Sequence, residues 1–82
     1  MRVAVDISLY PLSEDFIPPI KDVIQRLNSH DSLEVVTNPM STQVRGEFDE
    51  VMEALHKEIG TTFQNLPKAV FAIRILNNPL ED

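Results

Sequence analysis

The chain has 82 residues, a net charge of −6 at neutral pH, 43% hydrophobic residues and no cysteine. That length sets a single domain with a small core, and the hydrophobic share makes it globular rather than disordered. The missing cysteine excludes disulfides, thiolate metal sites and thiol nucleophiles, and the acidic balance without a Lys/Arg cluster excludes a duplex phosphate backbone as partner.

No apolar run approaches the ~18 residues of a membrane span. No basic leader followed by an apolar core is visible at the start, so a cytoplasmic protein is expected. A core of this size is marginal without a disulfide or a metal, and self-association is the expected remedy.

The stretch RVAVDISLY alternates. Val3, Val5, Ile7 and Leu9 fall on one face and Ala4, Asp6, Ser8 and Tyr10 on the other, the period-2 pattern of a half-buried strand. PLSED supplies turn chemistry, with Ser13 or Asp15 as the expected helix cap and Pro18–Pro19 in the first turn, where a missing N–H costs least. Phe16, Ile20, Val23, Ile24 and Leu27 form one helical stripe, and this helix is expected to end in NSHDS. LEVVTN reads as a short β-branched strand, broken by an Asn-Pro turn. STQVRGE reads as a second, more polar strand, with Gly46 marking a bulge or the bend into a helix. Phe48, Val51, Met52, Leu55, Ile59 and Phe63 mark that helix. Asp49 and Glu50 lie in its first turn, where the macrodipole favours them, and Gly60 lies near its last. After NLPK, AVFAIRIL is apolar on both faces, as in a strand covered on both sides, and NNPLED closes the chain as a polar tail.

The order is β-α-β-β-α-β. With right-handed crossovers it predicts an α+β, ferredoxin-like domain over residues 1–82: a four-stranded antiparallel sheet with two helices on one face. The first and third strands are then central neighbours, and the fourth lies beside the first.

The helices leave one sheet face open. Asp6 on a central strand, flanked by strands bearing Arg45 and Arg74, reads in two ways: a charge-paired wet face, or a polar patch that bounds a small-molecule pocket beneath a partner subunit. Val36, Val70, Ala72 and Leu76 on that face favour a cover, and a second copy of the same sheet is the expected one.

His30 and His56 share no element and no metal-ligand spacing, and read as surface histidines. Glu47, Asp49, Glu50, Glu53 and Glu58 read as a solvated helix face. Ser8, Ser13 and Ser41 have no evident base beside them, and no Gly-rich phosphate loop exists. No catalytic residue, metal ligand or cofactor is therefore expected. Met40 reads as core filler or as a pocket wall.

Two motifs remain: ISLYPL from Ile7 to Leu12, and NPMSTQVRGEFDEVM from Asn38 to Met52. Together they resemble the thiamine-binding protein family related to the YkoF-type hydroxymethylpyrimidine/thiamine-binding proteins. The likeness lies in the Tyr10–Pro11 step, the Pro39–Met40 turn, Thr42 and the Gly46–Glu47 pair. Arg45 departs from that pattern, which has an acidic residue before the glycine, and NNPLED departs from its basic ending. The resemblance covers Val3 to about Ile75. It implies a ferredoxin-like domain, a homodimer or homotetramer formed through the sheets, and binding of thiamine or its hydroxymethylpyrimidine moiety without catalysis.

For such a ligand the candidate residues are Asp6, Ser8, Tyr10, Met40, Ser41, Thr42 and Glu47. The hydroxyls of Ser8, Ser41 and Thr42 can donate or accept along an aminopyrimidine edge. Tyr10 offers an aromatic face, Met40 a deformable apolar wall, and Asp6 or Glu47 an offset to a thiazolium charge. Two other functions fit the same element order. One is an amino-acid-sensing module, against which the glycine-free loop PLSEDFIPP counts. The other is a module that serves assembly alone.

Overall fold

Alternation in the first strand decides the architecture. In a computed structural model that describes Met1–Pro79, the elements are β1 (Arg2–Pro11), α1 (Ile17–Asn28), β2 (Glu34–Thr37), β3 (Thr42–Glu47), α2 (Phe48–Asn65) and β4 (Ala69–Asn77). The sheet order is β2-β3-β1-β4. β1 pairs antiparallel with both neighbours, from Arg2↔Glu47 to Ile7↔Thr42 on β3 and from Val3↔Asn77 to Pro11↔Ala69 on β4. This is the ferredoxin-like α+β arrangement the sequence predicts. Of the polar tail, Leu80–Asp82 lie outside the described residues. Asn77 still belongs to β4, and Asn78 turns the chain at φ 52° while its N–H donates to the Arg2 carbonyl; asparagine tolerates that left-handed conformation.

Val3, Val5, Ile7 and Leu9 are buried with Val44 beneath Val23 and Leu27 of α1 and Val51 and Leu55 of α2. Gly46 is also buried, and it is neither a bulge nor a bend: it pairs with Val3 in a regular ladder. A Cβ there would lie 3.0 Å from Leu33 Cδ2 and 3.3 Å from Val51 Cγ2, so any side chain would have to push Leu33 and the start of α2 aside by a few tenths of an ångström.

The start of α1 differs from expectation. Phe16, not Ser13 or Asp15, is the N-cap, and no side chain caps the helix. A capping oxygen accepts from the N–H of the second or third helical residue. Those residues here are Pro18 and Pro19, which have no N–H to give. Phe16 itself is exposed rather than part of the stripe. In α2, Gly60 is interior, because the helix continues to Asn65.

The larger correction concerns Glu58 and His30. The buried face of α2 is Val51, Ala54, Leu55, Glu58 and Thr62, while Phe48, Met52 and Phe63 are exposed. Glu58 is 3% exposed, not solvated. Arg26 of α1 donates to Glu58 Oε1 at 2.7 Å, to the Glu58 carbonyl at 3.0 Å, to Thr62 Oγ1 at 2.7 Å and to Asp22 Oδ2 at 3.0 Å. His30, half-buried after the end of α1, donates from Nε2 to Glu58 Oε2 at 2.6 Å. Burial alone would raise the Glu58 carboxyl; the hydrogen bonds from His30 and Arg26, aided by their charge, outweigh it and hold the pKa below its ordinary value.

The folded Glu58 is thus harder to protonate than the unfolded one. Its stabilisation is complete above about pH 4.3, the ordinary glutamate value, and is lost as pH falls through the lower folded value. Glu58→Gln is expected to cost about 2–3 kcal/mol at neutral pH, below the ~3–5 kcal/mol of a broken fully buried pair, because the Arg26 side chain keeps 20% of its surface in water. The variant should also lose less stability than the wild type on acidification below about pH 4.3. Urea unfolding across pH checks both; an equal acid loss in the two chains would exclude Glu58 as the titrating group.

Candidate functional site

The β2–β3 connection is built around one asparagine. Asn38 Oδ1 accepts from the backbone N–H of Met40 at 2.8 Å and of Ser41 at 3.0 Å, and the Asn38 N–H donates to the Ser41 carbonyl at 3.0 Å. This Asx turn places Pro39 and Met40 at the tip, with Met40 86% exposed. At its base the Thr37 and Thr42 hydroxyls hydrogen-bond across the ladder at 3.0 Å.

Ile7 pairs with Thr42, so the turn stands beside the C-terminal half of β1. Between the turn, that half of β1 and α1 lies a cavity of about 200 Å³. Its walls are mainly apolar, with Leu9, Ile20, Ile24 and Phe71 among them, and Thr37, Ser41 and Thr42 bring hydroxyl-bearing residues to the turn side. Thr42 is buried and faces the helices, as Val44 does. On the opposite face of the sheet, a hollow of about 280 Å³ opens over Asp6, Ser8, Tyr10, Met40, Ser41 and Arg74. Ser8, Tyr10, Met40 and Ser41 line both spaces.

Five of the seven candidates named from the sequence (Asp6, Ser8, Tyr10, Met40 and Ser41) therefore meet at the outer hollow. Thr42 lies on the inner cavity. Glu47 is at the far end of β3, opposite Arg2, where it accepts from the Met1 amino group at 3.1 Å; the structure does not bring it to the others.

Asp6 is opposite Gln43 on β3 and Arg74 on β4. Arg45 is one ladder step away along that face, opposite Ala4 and Glu34, so it does not share the Asp6 carboxylate. Arg74 does, through Nε at 3.0 Å and through Nη2, both to Oδ2. Ser41, the larger influence, and Arg74 hold the Asp6 carboxyl below its ordinary pKa. Among the described residues Oδ1 has no partner in full hydrogen-bond geometry and no solvent contact; the Ser41 hydroxyl beside the carboxylate is the first cause of its lowered pKa.

Sequence reasoning set Arg74 beside Asp6 on the open face but not among the ligand-binding candidates, and it left out Thr37 and Asn38. The signal for Arg74 was the sheet register, which needs the fold. That for Asn38 was the Asn-Pro step itself, read only as a breaker. Among the described residues no group of three or more His, Asp or Glu side chains is placed to hold a metal ion. Among the described residues no helix is long and apolar enough to cross a membrane.

Residues 5–79 match the family described as thiamine-binding protein. Among solved structures, a hypothetical protein from Methanocaldococcus jannascii superposes with a TM-score of 0.83 at 24% identity, covering 99% of this chain and 84% of that one. A Streptococcus pneumoniae protein gives 0.78 at 22% identity, covering 98% and 90%. These two likenesses speak for the fold alone. A Thermotoga maritima protein assigned provisionally to thiamine biosynthesis or salvage gives 0.70 at 26% identity, covering 92% and 82%. No curated protein matches the chain.

The Asp6 environment can be read directly. Ser41→Ala and Arg74→Gln are each expected to raise the Asp6 pKa toward the ordinary carboxylate value, the Ser41 variant at least as far. A ¹³C titration of the Asp6 carboxyl carbon measures it; no movement in either variant would mean that neither side chain holds the charge.

Proposed function

Because the chain belongs to the thiamine-binding protein family, we propose that it is a non-catalytic binding protein for thiamine or its hydroxymethylpyrimidine moiety. The observation that carries this reading is the wall of Ser8, Tyr10, Met40 and Ser41 that divides an apolar inner cavity from a polar outer hollow. Thiamine has the same two-part chemistry: a flat aminopyrimidine joined to a cationic thiazolium.

Drug-sized ligands occupy roughly 300–1,000 Å³, so the inner cavity of about 200 Å³ suits a single ring. Leu9 and Ile24 supply apolar walls for its faces. Thr37 and Thr42 spend one hydroxyl proton on each other and retain acceptor and donor capacity between them. That capacity, with the Ser8 and Ser41 hydroxyls, matches a ring edge carrying both nitrogen acceptors and an amino group. The thiazolium then falls to the outer hollow, where the Asp6 carboxylate stays ionised and Tyr10 offers a ring face. Nothing in this arrangement pairs a nucleophile with a base, which is why binding without turnover is the reading put forward.

Calorimetric titration with thiamine and with hydroxymethylpyrimidine tests it. Thr42→Val and Ser8→Ala are each expected to weaken binding by about 1–3 kcal/mol, the cost of leaving a buried polar atom unpaired. No heat and no melting shift with either ligand at millimolar concentration would end this reading.

The same proposal includes a homodimer or homotetramer formed through the open sheet face. Tyr10, Val36, Val70 and Leu76 are about half exposed there (55%, 55%, 49% and 57%), which is more apolar surface than a wet face needs. A second sheet laid on it would also roof the outer hollow. A stable interface buries at least about 1,000 Å² in total. Light scattering should report more than the 9.3 kDa of one chain. Ala72→Glu, which sets a carboxylate in the middle of that face, should return the protein to monomer.

A further inference from the structure

A second hollow of about 280 Å³ lies on the open face along Ala4, Gln43 and Leu76, beyond the one that holds Ser8 and Tyr10. Asp6 and Arg74 line both hollows. Their ion pair is therefore the partition between two halves of one trough that follows β1.

The partition is lightly built. The Arg74 side chain is 86% exposed, and both of its hydrogen bonds go to one oxygen, Asp6 Oδ2. Among the described residues Asp6 Oδ1 has no partner in full hydrogen-bond geometry and no solvent contact, although a carboxylate has lone pairs for about four donors across its two oxygens. Oδ1 thus keeps acceptor capacity beside the Ser41 hydroxyl, and Oδ2 is held by a solvated side chain of the kind whose ion pairs contribute little.

From this geometry, and resting on the binding reading above, we propose that Arg74 is a specificity-determining gate: a resident cation that a positively charged ligand must displace from Asp6. A neutral ring in the inner cavity leaves the pair untouched. A ligand with a cationic end meets like charge while Arg74 is in place and an unshared carboxylate once it has swung away. Among the described residues of a single chain the guanidinium has no anchor besides Asp6, so displacing it breaks only that contact and joins the two hollows. Arg74 therefore selects on ligand charge rather than on ring shape.

The readout is the ratio of two affinities. Thiamine and hydroxymethylpyrimidine, which lacks the thiazolium, are titrated calorimetrically into the wild type, Arg74→Gln and Arg74→Lys. In the glutamine variant thiamine should tighten about three- to tenfold relative to hydroxymethylpyrimidine. That gain should shrink at high salt. The lysine variant, which keeps the charge, should stay near the wild-type ratio. In the wild type, the Arg74 Nε–H resonance should move toward its solvated position on adding thiamine but not on adding hydroxymethylpyrimidine. Thiamine binding seen only in the glutamine variant, with hydroxymethylpyrimidine bound by all three chains, would support the gate. An unchanged ratio with hydroxymethylpyrimidine still binding would overturn the gate and leave the binding reading intact. No binding of either ligand to any of the three chains would overturn both.

Discussion

β1 is hydrogen-bonded along both sides, to β3 and to β4, and its alternation divides the molecule. Every second residue, from Val3 to Leu9, is driven from water by an apolar side chain and must be covered. Among the described residues two helices supply that cover, and both crossovers bring them to the same face. The intervening residues, Ala4, Asp6, Ser8 and Tyr10, are left on the other face. The candidate site is a consequence of that division. It sits where β1 runs past the β2–β3 turn, so that side chains from both faces and from the turn reach the same few ångströms.

How far the sequence reveals this depends on the kind of information each feature needs. Period-2 and period-3.6 patterns are local, and they locate all six elements and the inward residues of β1. The topology also follows, because short connections and crossover handedness leave few alternatives. Glu58 shows where pattern reading fails. It stands seven residues after Val51, squarely on the buried face of α2. Carboxylates are so seldom buried unless paired that it read as solvated, and its partners, Arg26 on α1 and His30 just past its end, are 28 or more residues away. The apolar residues Phe48, Met52 and Phe63 drew the predicted stripe toward the exposed flank instead, although Phe63 stacks a tilted ring against Phe71 at 5.6 Å.

The site was legible to the extent that it is local. The hydroxyls and the methionine of the β2–β3 turn are consecutive in the chain, and Ser8 and Tyr10 follow Asp6 at the strand period. The register of β4 was not legible, and it is what assigns Arg74 rather than Arg45 to Asp6. Glu47 was a candidate for its charge, yet it lies five residues past Thr42. On an extended strand that is roughly 17 Å, enough to place it at the opposite end of the sheet. Sequence proximity means one thing in a turn and another along a strand.

Arg26 has a consequence for the freedom of the two helices. Its planar fork reaches a carboxylate, a backbone carbonyl and a hydroxyl on α2 while it is braced by Asp22 on its own helix. Three targets of different height and angle on one partner define a unique position, much as three points define a plane. α1 can neither slide along α2 nor roll upon it without losing several of these bonds at once. A lysine would carry the same charge but has a single nitrogen at its tip, and would leave the helices free to pivot about it. The pair thus behaves as one keyed block, and the inner cavity, bounded by α1 on one side and the sheet on the other, inherits its width from that key.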